Sequence, residues 1–188
     1  MADINDRGAN YPRPIAWALS EVNRARGPVD RFHRWIESAE QTTTYLTLVT
    51  LARYLDIRCD TPEKAADAML ERELLRLRRP TFGDWVDCLA RLDRYLAGLG
   101  EPPPLGLKLA ERVEGPAMIA LANIETDGAR KRVSPIEMLR AIVTLRNRTK
   151  HGGVSEKEAR DRTEPLGDAL LEMLGILPVL ATRPPLYV

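Results

Sequence analysis

Arg146 and His151 are the two residues whose types and spacing could act together on a phosphate. Histidine carries protons near neutral pH, and arginine binds phosphate oxygens in a bidentate geometry and stabilises charge that develops on them. Asn147 follows the arginine directly and lies one helical turn before His151, where it could orient the imidazole or a phosphate. The pattern predicts metal-independent phosphate chemistry, with Arg146, Asn147 and His151 as the catalytic candidates.

Three further cations accompany this pattern, namely Arg140, Arg148 and Lys150. They are candidates for binding RNA or another phosphate-bearing ligand. Arg146, Arg148, Lys150 and His151 also have a purely structural interpretation, because cations near the C-terminus of a helix interact favourably with its dipole and stay solvated. The sequence leaves both interpretations open.

A single helix, predicted over residues 134–150, must position these side chains. Ser134 and Glu137 form a capping box around Pro135, which suits the first helical position, and a glycine pair at 152–153 ends the helix. The residues between are apolar around most of the circumference: Ile136, Met138, Leu139, Ala141, Ile142, Val143 and Leu145. Such a helix is expected to be buried in a bundle.

One narrow stripe of this helix is polar, and its members are spaced so that they share one face: Glu137, Arg140, Thr144, Asn147 and His151. A polar stripe on an apolar helix needs either water or a partner, and we therefore expect a homodimer that uses this stripe or its rim.

Arg146 lies off that stripe and continues the apolar row of Leu139 and Ile142, where burying it requires an anionic partner. On an ideal helix, five residues rotate His151 about 140° away from Arg146. The two side chains therefore converge only if the helix loosens near Lys150, or if the pair acts across a dimer.

An arginine followed by asparagine, with a histidine at the end of a capped core helix, resembles the signature of the HEPN superfamily. These helical-bundle domains occur in bacterial defence systems, toxins and RNA-processing proteins. The resemblance implies a homodimer in which two Arg146/His151 pairs face each other and cleave RNA, leaving 2′,3′-cyclic phosphate ends. The alternative is a non-catalytic HEPN-like module that dimerises or docks a partner within a larger defence or signalling protein. A third possibility is an unrelated helical adaptor.

The remaining sequence predicts an all-α bundle of about six to seven helices over residues 12–180. Further helices are expected at 15–26, 29–56, 61–79, 81–96, 105–124 with an interruption at Gly115-Pro116, and 155–177 with a kink or restart at Pro165. Residues 1–11 are expected to form a disordered tail. Residues 181–188 are expected to form an extended tail or the start of a linker to a further domain.

Composition narrows the function classes further. The net charge of +1 exerts no global attraction on nucleic acid, so any basic site must be local. Cys59 and Cys88 are isolated, which argues against a zinc site or a disulfide scaffold and fits the cytoplasm. No apolar run is long enough to span a membrane. Neither a cofactor nor a metal is expected.

Three other patterns are interpreted structurally. The run Arg130-Lys131-Arg132 is expected to be a solvated loop. Phe32, Trp35 and Ile36 share the spacing of a core face, although arginines and a histidine are interleaved with them. Asp84 and Asp87 share a helix face without an evident third ligand, so a metal site there is not expected.

Overall fold

A computed structural model describes residues 11–61, 68–126 and 129–177 of the chain. Within these ranges the protein is a bundle of α-helices with no strand, which confirms the predicted all-α class. The helices are α1 (Arg13–Asn23), α2 (Pro28–Asp60), α3 (Ala68–Arg76), α4 (Phe82–Gly98), α5 (Pro116–Thr126), α6 (Pro135–Gly152) and α7 (Glu156–Ile176). A single 3-10 turn, Pro104–Gly106, follows α4.

The long helix α2 runs through the bundle and packs against α1, α4 and α7. It buries an unusual number of hydroxyl groups for a core helix. Thr43, Thr47 and Thr50 each donate a hydrogen bond of 2.8 Å to the carbonyl one turn earlier. These bonds satisfy the hydroxyl donors within the helix itself, so the threonines can face the interior.

The apolar side chains form two cores. The larger core joins α1, the first half of α2, and α4 to α7, and Phe32, Trp35 and Ile36 belong to it as predicted. The smaller core lies between the second half of α2, α3 and α4, and it contains Cys88. Burial raises the pKa of the Cys88 thiol to about 11, so this thiol is protonated at neutral pH and is not a nucleophile.

The predicted helix over 105–124 is wrong in its first half, because only α5 from Pro116 onward is helical after the short 3-10 turn. The preceding segment is held extended by an isolated bridge, in which Val113 and Val133 exchange two backbone hydrogen bonds of 3.0 Å. Leu107 and Leu109 are buried from this extended backbone. Their apolar spacing therefore reflects burial and not helical structure.

The predicted helix starts at Thr81, Ser134 and Ser155 agree with the structure. The hydroxyl of Ser134 accepts a hydrogen bond from Glu137 N at 3.2 Å, and the Glu137 carboxylate accepts one from Ser134 N at 2.9 Å. Thr81 and Asp84 form the same reciprocal box at the start of α4. The helix α7 begins after Ser155 and continues through Pro165 without a restart.

Several predictions concern residues that the structure does not describe. The expected tails at 1–11 and 181–188 lie outside the described residues except for Tyr11, which packs against the larger core. Residues 62–67, the start of the third predicted helix, are also outside. No helix in the described part of the chain is long and apolar enough to cross a membrane.

Candidate functional site

The helix α6 carries the candidate site along one side and the core along the other. Leu139, Ile142 and Leu145 are buried, while Arg140 and Asn147 are exposed on the opposite face. This arrangement confirms the predicted apolar circumference with a single polar stripe. The helix continues through Gly152 and ends at Gly153, whose φ of 71° is the left-handed conformation that glycine adopts at low cost.

Arg146 is half-buried between α6 and α2. Its Nη2 atom lies 3.7 Å from Oε2 of Glu40, and the two side chains are 27% and 28% exposed. An anionic partner therefore meets this arginine, as its position in an apolar row requires. At this separation, and with water reaching both groups, the pair holds the guanidinium only loosely.

Arg148 is held much more firmly, by the carboxylate of Glu125 at the end of α5. Its Nη1 atom lies 3.1 Å from Oε2 of Glu125, and its Nη2 donates to the backbone carbonyl of the same residue at 3.1 Å. The Glu125 side chain is 0% exposed, and Arg162 from α7 binds its other oxygen. We call these three residues the Glu125 cluster. It joins the ends of α5 and α6 to α7 and compensates a charge that could not remain buried alone.

The basic run at 130–132 is fixed at its first residue. The side-chain amide of Asn123 donates to the Arg130 carbonyl at 3.1 Å, and its oxygen accepts from Arg130 N at 2.9 Å. Lys131 and Arg132 are exposed. The predicted solvated loop is therefore anchored to α5 through Asn123, which precedes the buried Glu125 by two residues.

The polar stripe of α6 is engaged at its beginning. Nε of Arg112 donates to Glu137 at 3.2 Å, and Nη2 of Arg140 lies 3.1 Å from Oδ1 of Asp87. Partial burial by itself would raise the pKa of Glu137. The bonds from Arg112 and from Ser134 N outweigh that effect, so its pKa lies below the usual range.

The described residues contain no group of three His, Cys, Asp or Glu side chains that could hold a metal ion. Asp84 serves its capping box, where hydrogen bonds from Thr81 lower its pKa, and Asp87 pairs with Arg140. These two carboxylates therefore have structural partners.

A groove of about 860 Å³ lies between the α1–α2 turn and α7, and no α6 residue lines it. Arg26 and Arg31 flank it, and Trp35 and Gly167 form part of its wall. A Cβ at position 167 would lie 2.7 Å from the Trp35 indole, so glycine is required for this helix contact. The groove is separate from the candidate site.

Sequence reasoning missed Glu40, Glu125 and Arg162. For two of them a signal was present. Glu125 shares the buried face of Met118, Leu121 and Ala122, and a charge on such a face predicts a buried partner. Arg162 likewise continues the buried row of Ala159 and precedes Leu166 by one turn. The ion-pair partner of each charged residue could not be predicted without the packing of the helices.

Of the predicted catalytic residues, Asn147 is exposed and Arg146 faces Glu40, whereas the side chain of His151 lies outside the described part. The side chain of Lys150, a predicted phosphate-binding residue, lies outside it as well. Because α6 stays helical through Gly152, it does not loosen between Arg146 and His151, and the two positions point about 140° apart. One chain therefore does not bring them together through its helix. Comparison with protein-family models, with curated proteins and with solved structures found no match in any of the three.

Proposed function

We propose that the chain is a metal-independent endoribonuclease of the HEPN type, whose site lies at the C-terminal end of α6. The observation that carries this proposal is the loose hold on Arg146. Its partner Glu40 lies 3.7 Å away and both side chains reach solvent, so an RNA phosphate can compete for the guanidinium at modest cost. Asn147 is exposed beside it and can bind the same phosphate.

In the proposed reaction, His151 removes the proton of an RNA 2′-hydroxyl, whose oxygen then forms a bond to the adjacent phosphorus. The bond from phosphorus to the 5′-oxygen breaks, and that oxygen leaves with a proton. Arg146 stabilises the charge that develops on the phosphoryl oxygens. The products are a 2′,3′-cyclic phosphate and a 5′-hydroxyl.

A second copy of the chain is part of this proposal. Since a straight α6 directs Arg146 and His151 about 140° apart, a site that needs both side chains is best completed by residues from two chains. Arg140 and Arg148, which are exposed, and Lys150 are proposed to bind neighbouring phosphates. Arg148 has a smaller capacity for this, because the Glu125 cluster uses part of its guanidinium.

The test is cleavage of single-stranded RNA in excess EDTA by wild type and by matched variants. Arg146→Ala is expected to reduce the rate by about 10²–10³-fold, and His151→Ala by about 10²–10⁴-fold. Arg24→Ala is the control, since that arginine is exposed, follows the last residue of α1 and pairs with Glu21 of that helix. Equal cleavage by all four proteins would identify a contaminant, and inhibition by EDTA would refute the metal-free mechanism.

The second candidate function is a non-catalytic docking module of a larger defence or signalling protein. It is favoured by solvent-exposed apolar side chains on α2 and α3, far from the α6 motif. If the wild type neither cleaves nor binds RNA while this apolar surface binds a partner, the docking function replaces the ribonuclease.

A further inference from the structure

The second half of α2 presents an apolar face to solvent. Five residues spaced 3, 4, 3 and 4 apart form it: Tyr45, Leu48, Ala52, Leu55 and Cys59. Leu48 and Leu55 are 50% and 45% exposed. The same side of the first half of α2 is polar instead, with Arg34, Glu37 and Gln41. One side of a single helix therefore changes from a solvated surface to an unpartnered apolar surface.

The helix α3 extends this surface. Its Glu71 binds Arg58 of α2, with 2.9 Å between Oε1 and Nη2. Leu75 follows Glu71 by one turn, so it lies on the same side of α3, and it is 57% exposed. We call Leu75 together with the five α2 residues the α2–α3 face.

The edges of this face carry opposite charges. Asp56 and Asp60 each lie two residues from Arg58, which is a rotation of about 200° around the helix. Because Arg58 faces α3, both aspartates lie on the side of α2 away from α3. Arg72, Arg78 and Arg79 are exposed on the α3 side. Among the described residues no ion pair engages any of these five side chains. The surface thus has an acidic edge, an apolar centre and a basic edge.

We propose that a second copy of the chain covers the α2–α3 face. A 3, 4, 3, 4 spacing of apolar residues is the pattern of a helix that packs against another helix. A twofold axis parallel to α2 places the same patch on both sides and exchanges its edges, so the acidic edge of one copy meets the basic edge of the other. The face is self-complementary in this respect, which is why a second copy fits it.

The polar stripe of α6 is a weaker dimer surface than the sequence suggested. Its residues Glu137 and Arg140 are already paired within the chain, with Arg112 and Asp87. Breaking those pairs to form equivalent pairs with a partner gains little. The α2–α3 face instead removes apolar surface from water.

This self-association does not rest on the proposed ribonuclease. Glu40, which holds Arg146, precedes Leu55 by fifteen residues, about 22 Å along α2. The α2–α3 contact is therefore distinct from the contact at the end of α6 through which two copies would combine Arg146 and His151, so a variant that breaks the α2–α3 contact tests this proposal and not the ribonuclease.

The test is sedimentation velocity across micromolar concentrations. The wild type is expected to be a dimer, and Leu48→Glu combined with Leu55→Glu is expected to raise its dissociation constant at least about 30-fold. Both residues are half-exposed, so the helical circular dichroism should be unchanged. Arg140→Glu is the matched control on the polar stripe and should remain dimeric.

Exchanging charges between the acidic and the basic edge tests whether a second copy of the chain covers the α2–α3 face. Asp56→Arg should weaken the dimer because it puts a cation opposite the basic edge, and adding Arg72→Asp should restore it. A monomeric wild type at high micromolar concentration would overturn the proposal. So would a dimer that survives the double leucine substitution, or one that is lost with Arg140→Glu and not with the leucine variant.

Discussion

Two arginines on one helix, Arg146 and Arg148, are held in opposite ways. Arg148 binds a carboxylate that is shielded from water and shared with Arg162, whereas Arg146 lies at 3.7 Å from a half-exposed Glu40. In a buried cluster, losing one partner leaves a charge without solvent. In an exposed pair, water replaces the lost partner. Loss of the Arg148 pair therefore leaves a buried carboxylate with one cation fewer, whereas loss of the Arg146 pair leaves a carboxylate that water reaches.

The largest loss in the free energy of unfolding is expected from breaking the Glu125 cluster. Arg162→Met should lower the free energy of unfolding by about 3 kcal/mol, because Glu125 then stays buried with only one cation. Urea denaturation measures the change. Arg160→Met is the control, since Arg160 pairs with Glu156 on the exposed side of the same helix and should change stability by about 0.5 kcal/mol or less.

Replacing Glu125 together with Arg162 tests whether the loss of stability comes from the buried charge. In Arg162→Met with Glu125→Leu, no carboxylate remains buried, so most of the lost stability should return. If the double variant is no more stable than Arg162→Met alone, the loss came from packing of the Arg162 stem and not from an uncompensated charge.

An intermediate loss of stability is expected from substitution of Glu137, which lies in the first turn of α6. Glu137→Ala removes half of the capping box and should cost about 1 kcal/mol at neutral pH. Because the folded-state pKa of Glu137 is lowered, the stabilisation from its charge is present above the unfolded pKa of about 4.3. It is lost as pH falls through the lower folded value.

Thermal unfolding of wild type and of Glu137→Gln as a function of pH checks this sign. Glutamine keeps the cap but has no charge, so the two proteins should converge in acid and differ at neutral pH. A constant difference across the titration would contradict the ionic contribution.

The smallest change in stability is expected at Arg146. Arg146→Ala and Glu40→Gln should each lower the free energy of unfolding by about 0.5 kcal/mol or less, because water reaches both groups. Arg148→Ala should cost more, about 2 kcal/mol, since it removes one cation of the Glu125 cluster. Equal losses for Arg146→Ala and Arg148→Ala would show that the two pairs do not differ.

RNA binding offers a second readout of the same contrast. Glu40→Gln removes the anion that competes with phosphate, so the variant should bind RNA more tightly than the wild type. The RNA affinity of both the wild type and the variant should fall as the salt concentration rises. A fluorescence anisotropy titration with a labelled oligonucleotide measures it. Unchanged affinity would indicate that phosphate does not compete with Glu40.

Local patterns were sufficient for most of the helices. The capping box at Ser134, the helix start at Thr81, the buried face of α6 and the glycine that ends it were all predicted from spacing, because these features depend on residues a few positions apart. The segment before Pro116 was assigned wrongly for the complementary reason. Its extended backbone depends on Val133, which is twenty residues away in sequence from Val113.

The sequence by itself determined that α6 would bury one side, expose a polar stripe and require an anion at Arg146. Only the tertiary structure decided that this anion is Glu40, and that Arg148 is committed to a buried Glu125 with Arg162. Helical periodicity assigns a residue to a face, but it carries no information about which face of another helix will lie opposite. That choice depends on how α2, α5 and α7 pack around α6, and it separates an arginine that meets a buried carboxylate from one whose carboxylate reaches solvent.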